Sequence, residues 1–291
     1  MDQPRGGTER MTDKPRRRRG AANHDDPPGI WLGYGQLLRL HRRRAGMTQE
    51  QLAAAISYST EQVASVEQGR RPAKLAFTRA VEHALEAGGT LLALQDQVDM
   101  ARLPTFFHDF ASLEADAISF CWYGGYVIPG LLQTEDYARA LLNAHFPPLD
   151  ERTVEERVAA RMDRQALLSR TCPPLVATFL IEEVVLHRSV GGREVMKAQL
   201  HKLLEQAKRP NVQLQVMPTS FGAHSGLNGS MVLLETTDHR RIAYTESQDI
   251  GSLASEPDQV SDFWLRYGML RSQALNLEES VCLIERAAGE L

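Results

Sequence analysis

Ser59, Thr60, Glu61, Gln62 and Ser65 place hydroxyls, an amide and one carboxylate at the start and along the outer side of a short helical stretch that holds no Lys or Arg. Short hydrogen-bonding groups in that position can meet base edges in a major groove, and a carboxylate such as Glu61 suits a cytosine amino group better than a guanine edge. Arg70 and Arg71 follow at once, where positive charge strengthens binding to phosphates without reading sequence. Gln49, at the start of the preceding helical stretch, is placed for a phosphate as well. The expected partner of this set is a double-stranded DNA operator.

Reading a groove requires two short helices held at a fixed angle, and the sequence supplies their ends. Thr48 can cap one helix with Gln51 answering three residues later, and Ser59 can cap the next with Gln62 answering. Leu52, Ala53 and Ile56, then Val63 and Val66, give each helix an apolar side toward the other. Gly69 falls where a helix end favours a left-handed residue, and Pro72 forbids continuation. A generic helical hairpin would share the apolar pattern, but not the paired caps, the Gly-Arg-Arg-Pro ending and the basic surroundings together. Before this pair, residues 34–46 read as a first helix with Leu37, Leu38 and Leu40 inward and Arg39, Arg42, Arg43 and Arg44 mostly outward. After it, residues 75–94 read as two further helices broken at Gly88-Gly89, which makes a five-helix bundle over residues 31–98.

Met47-Thr-Gln-Glu-Gln-Leu-Ala, Val63-Ala-Ser-Val-Glu-Gln-Gly and Arg70-Arg71-Pro72 resemble the xenobiotic-response-element type of helix-turn-helix, the family of the lambda repressor DNA-binding domain. The resemblance implies a structural role for Glu67, which is therefore left out of the DNA contacts.

Charge is distributed unevenly. The chain carries −4 overall, but residues 1–99 hold 15 Lys and Arg against 12 Asp and Glu, and residues 100–291 hold 18 against 25. The positive field sits with the DNA reader, and an acidic second region discourages non-specific DNA binding there. Residues 1–30, rich in Gly, Pro, Arg and Asp and including the run Arg16 to Arg19, read as a disordered tail, either a DNA-tracking arm or simply an Arg-rich end. No apolar run suits a signal peptide or a membrane span, so a cytoplasmic protein, nucleoid-associated when DNA-bound, is expected. Cys121, Cys172 and Cys282 show no metal-ligand spacing and an odd count, and reduced, mostly buried thiols are expected.

Residues 99–291 change character. A helix-like stretch over 106–118 and an aromatic group of Phe120, Trp122, Tyr123 and Tyr126 lead to the Pro129-Gly130 turn and a helix capped by Thr134. A helix over 151–169 follows. Strand-like runs over 175–181, 212–216, 230–234 and 241–245, with a helix over 193–207 between the first two, read as a βαβ unit extended by a hairpin. A loop over 251–256 and helices over 257–275 and 277–288 close the chain. The expected fold is mainly α with an α/β part: a five-helix lambda-repressor-like bundle, then an α/β sensor or interaction domain with a small central sheet and flanking helices.

Within this region Val127-Ile-Pro-Gly-Leu-Leu-Gln-Thr-Glu-Asp-Tyr, Arg161-x-x-Arg-Gln165, Ile181-Glu-Glu-Val-Val-Leu-His-Arg188, Gln199-Leu-His-Lys and Gln215-Val-Met-Pro resemble the actinobacterial WhiJ-like regulators, often described as antitoxin-like transcriptional regulators. The resemblance spans about residues 33–288. It implies repression or modulation of nearby or developmental genes, commonly with a small partner protein encoded next door, and no settled chemistry for the long domain.

Glu182, Glu183, His187 and His224 are the best candidates for catalysis, but their spacing matches no metal or catalytic pattern, and His201-Lys202 lacks the spacing of a phospholipase-D-type site. The expectation is no enzyme, no cofactor and no metal. The 222–229 loop suits closure over a small-molecule ligand or a peptide, while the aromatic group, with Phe263, Trp264 and Tyr267, reads either as core or as an interaction surface. A reading helix without basic residues binds weakly alone, so a homodimer on two half-sites is expected. The sequence thus points to a DNA-binding regulator, a repressor, whose second domain senses a small protein or ligand. The alternative is an antitoxin-like protein that neutralises a small toxin-like partner and autoregulates its operon.

Overall fold

The computed structural model describes residues 28–104 and 107–291; the expectations for the Arg-rich tail up to residue 27, and for Phe106, lie outside them. Residues 29 and 30 are already helical.

The first region is built from five helices: α1 (Gly29–Arg44), α2 (Gln49–Ile56), α3 (Thr60–Glu67), α4 (Leu75–Leu85) and, after a 3-10 turn at Leu92–Leu94, α5 (Gln95–Met100). Trp31, Tyr34, Leu38, Leu52, Val63, Phe77 and Leu91 form its core. The break at Gly88-Gly89 is present, with both residues at positive φ. The last helix starts later than the periodicity suggests and runs past the boundary expected at residue 98; Trp31 Nε1 ties it back by donating to Val98 O over 3.0 Å. Buried polar groups here are paired with care. Glu82 accepts from the backbone N–H groups of Gly89, Leu91 and Leu92, and Thr78 links Tyr34 to Gln95.

The second region is a three-layer α/β domain, in agreement with the expected class, around a mixed six-stranded sheet of order β3-β2-β1-β4-β5-β6. Its strands are β1 (Ala117–Gly124), β2 (Val176–Glu182), β3 (Val212–Met217), β4 (Met231–Thr236), β5 (Arg241–Ser247) and β6 (Ile250–Ala254). Its helices are α6 (His108–Ala115), α7 (Glu135–Asn143), α8 (Glu151–Arg164), the short α9 (Val184–His187), α10 (Arg193–Ala207), α11 (Pro257–Gln273) and α12 (Leu277–Glu290). The βαβ unit is β2-α10-β3, parallel as expected, and β4-β5 is the hairpin.

Two strands depart from the sequence reading. β1 occupies the centre, parallel to β2 and antiparallel to β4. Its Phe120 enters the core covered by α10 and α12, while Cys121 and Tyr123 enter the core covered by α11. Apolar residues therefore run along both faces, and the alternation that marks a half-buried strand is lost. β6 replaces the loop expected over 251–256: it is an edge strand with mostly exposed side chains, so burial leaves no period in it. The aromatic group divides accordingly, with Phe120 and Tyr123 buried, Trp122 half-buried and Tyr126 64% exposed. Of the three thiols only Cys121 is buried; Cys172 and Cys282 are exposed, which corrects the expectation of mostly buried thiols.

Candidate nucleic-acid interface

Both helices of the candidate reader start on their caps. Thr48 accepts from Gln51 N while Gln51 Oε1 accepts from Thr48 N, a closed capping box. Ser59 Oγ accepts from Gln62 N over 3.1 Å, but the Gln62 side chain does not return the bond, so the second box is half made. Gly69 ends the turn at φ +67°, and a Cβ there would lie 2.8 Å from a Leu32 methyl, so the position needs both the left-handed backbone and the missing side chain.

Beneath the reader lies a buried ion pair. Arg42 grips Glu67 with two bonds of 2.5 and 3.0 Å, and the Glu67 side chain is 2% exposed. Arg42 also donates to Met47 O, and Gln49 Nε2 donates to Glu67 Oε2 over 2.7 Å. One carboxylate thus binds α1, the entry to α2 and the end of α3 into a fixed angle, the structural role implied for Glu67. Arg42, expected mostly outward, is buried by this task. The pairing raises its pKa through the Glu67 hydrogen bonds, while burial opposes it. Gln49 remains half-buried at the surface, oriented by Glu67. Gly35 lets α1 approach: a Cβ there would stand 2.5 Å from the carbonyl oxygens of Val66 and Glu67.

Ser59, Thr60, Glu61, Arg70 and Arg71 are exposed. Ser65 is a correction: it is buried, 7% exposed, and does not belong to the outer face. An eight-residue helix packed against both α1 and α2 leaves only a narrow free stripe, and Ser65 falls outside it. Gln62 is half-buried and turned toward the second domain. It lines a groove of about 600 Å³ with Arg71, Arg102, Glu151, Arg152, Glu155 and Glu156.

Helix α8 forms the far wall of that groove. Arg152 Nη1 donates to Arg70 O over 3.2 Å, and Arg102 pairs with Asp163 over 2.8 Å. Burial pushes the Glu156 carboxyl up to about 7, against the pull of Arg152, Arg102 and Arg71, and its Oε1 has no hydrogen-bond partner. The groove therefore sets carboxylates of the acidic second region beside two residues, Gln62 and Arg71, expected on DNA. No sequence signal places α8 here, because the contact joins segments some eighty residues apart.

The catalytic candidates are only partly gathered. Glu182 accepts from Tyr123 Oη over 2.6 Å and lies 3.4 Å from His224 Nε2, whereas Glu183 accepts from Thr219 N and His187 is exposed and apart. His224 Nδ1 and Ser225 Oγ, on the 222–229 loop, are buried without partners. His201 is exposed on α10. Among the described residues no group of His, Cys, Asp and Glu is arranged to hold a metal ion, and no helix is long and apolar enough to cross a membrane.

Two family models match the chain. A helix-turn-helix domain covers residues 34–95, which implies DNA binding, and a domain of unknown function, DUF5753, covers residues 107–286. No curated protein and no solved structure matches it.

Proposed function

The chain belongs to the DUF5753 family and carries a helix-turn-helix domain ahead of it, and from that premise we propose that it is a sequence-specific transcriptional regulator, a repressor, whose second domain senses a small protein or ligand. The observation that carries the reading is the Arg42–Glu67–Gln49 lock beneath two capped helices, with Ser59, Thr60 and Glu61 exposed at the start of the second. A fixed angle between two short helices is what groove reading needs. The xenobiotic-response-element type and the WhiJ-like, antitoxin-like group are the assignments that agree best with these motifs.

On this reading the base-contacting set is Ser59, Thr60, Glu61 and Gln62, with Gln49, Arg70 and Arg71 on phosphates. The half-buried position of Gln62 supports a coupling in which α8 withdraws when DNA binds. A homodimer follows from a reading helix without Lys or Arg, since two half-sites multiply a weak affinity. The second domain is a sensor and not a catalyst: Glu183 is engaged by backbone, and His187 stands apart from Glu182 and His224.

Pull-down of genomic DNA fragments with the purified full-length protein tests the reading. A sharp palindromic motif with half-sites one helical turn apart is expected. Diffuse recovery without a motif, or a monomer that binds a single half-site tightly, would overturn it.

A further inference from the structure

Helix α8 has a second working face. Whereas Arg152, Glu156 and Asp163 look toward the helix-turn-helix, Arg161 and Arg164 enter a cleft of about 380 Å³ inside the second domain. That volume lies within the range of about 300–1,000 Å³ common for small-molecule sites. Its wall is aromatic, formed by Phe110, Phe120, Trp122, Tyr126 and Tyr244, with Phe110 and Tyr244 stacked at 4.3 Å.

The two arginines are one helical turn apart and differently provided for. Arg164 has its counter-ion: Nε and Nη2 each donate to the buried Glu114 carboxylate over 2.7 Å, and its guanidinium lies 4.4 Å from the Phe107 ring centroid. Arg161 donates one bond, to Gln133 Oε1 over 2.8 Å, and among the described residues no carboxylate stands within ion-pair distance of it. Burial, with the charge of Arg164 beside it, pushes Arg161 down to about 10. A guanidinium in an apolar cleft with no carboxylate in direct contact, Glu246 acting on it only from a longer range, is costly, and an anion entering the cleft relieves that cost while filling donors left open. Gln133, itself buried, donates to Ile128 O and so has no freedom to turn away. Gln165 fixes the same loop by donating to Gly130 O and Gln133 O. The donor is therefore held in place before anything binds.

We propose that this cleft binds a small amphiphilic monoanion, an aromatic or aliphatic carboxylate whose apolar body lies on the aromatic wall and whose charge meets Arg161. Glu246, which also lines the cleft and accepts from Tyr244 Oη over 3.0 Å, disfavours a second negative charge and selects against polyanions. The inference names the ligand class of the sensing domain proposed above and rests on that reading for its regulatory meaning alone.

Two fluorescent probes that share one ring system, 8-anilinonaphthalene-1-sulfonate and the uncharged N-phenyl-1-naphthylamine, test it on the full-length chain. The sulfonate is expected to bind at one equivalent at least tenfold more tightly than the neutral probe, and to be displaced by decanoate but not by decanol. Arg161→Met should erase that tenfold preference while the neutral probe still binds and the thermal midpoint does not fall; Arg161→Lys should keep part of it. Arg286→Met, which removes an exposed guanidinium on α12, should change nothing. Equal affinity for the two probes, a preference that survives Arg161→Met, or loss of both probes together in that variant would overturn the proposal. Operator binding measured without probe decides the regulator reading separately, so either can fail while the other stands.

Discussion

In the helix-turn-helix region the buried Arg42 and Glu67 hold each other, Glu82 fills three backbone donors, and among the described residues none contributes a buried side-chain polar atom without a partner. In the second region Glu156 Oε1, His224 Nδ1, Ser225 Oγ and Trp264 Nε1 all lack one, and Arg161 has an amide where Arg164 has a carboxylate. Native interiors pair most of their polar groups, and the open atoms of the second region fall in part at the α8 groove and at the 222–229 loop. The first region closes its buried pairs on folding; the second leaves several open.

The strongest way to break this contrast is to open a closed pair in each region. Glu67→Ala should cost about 3–5 kcal/mol, because it strands the buried Arg42, and should abolish operator binding; Glu114→Ala should cost a similar amount through Arg164. Denaturant unfolding followed by probes in each region would show whether each loss stays local. A single shared transition for both variants would mean one cooperative unit, and the contrast would fail.

Next in size is the reader itself. Gln62→Ala should weaken operator binding by about 1–3 kcal/mol and relax one base pair, whereas Arg70→Ala should weaken all sequences alike and flatten the salt dependence. Equal losses on every sequence would show that α3 is not the reading helix. Ser59→Ala, which removes a cap, should cost about 1 kcal/mol in stability, read by thermal unfolding.

A further effect concerns pH. Glu156 titrates in the folded protein at about 7 against an ordinary 4.5, so between these values the folded chain holds a proton that the unfolded chain has released. Stability from this group is therefore intact below about 4.5 and declines as pH rises toward 7. Glu156→Gln should raise the thermal midpoint at pH 8 and leave it unchanged at pH 4. An equal shift at both values would assign the effect to packing.

The reader was legible because its instructions are local: caps, a left-handed glycine and a stop proline lie within the residues they govern. Even there Ser65 was misplaced, since one face of α3 is claimed by α1, which arrives from a distant segment. β1 was missed because its apolar residues serve two cores at once, and β6 because an edge strand carries almost no burial pattern. The cleft was out of reach because α6, β1, β5 and α8 each supply one part of it. A trace did exist in Arg161-x-x-Arg-Gln165, whose spacing puts three polar side chains on neighbouring helical positions, each now seen to support the cleft or its loop.

Helix α8 is fourteen residues, about 21 Å of continuous rod, with Glu156 answering to one region and Arg161 to the other. Their tasks are tied by angular phase. One residue inserted between them would leave every side chain present and turn the second set by about 100°, out of register with its cleft. A change of length in this segment would therefore break the Arg164–Glu114 pair as well as turn Arg161 away, whereas an exchange of residue leaves the register intact.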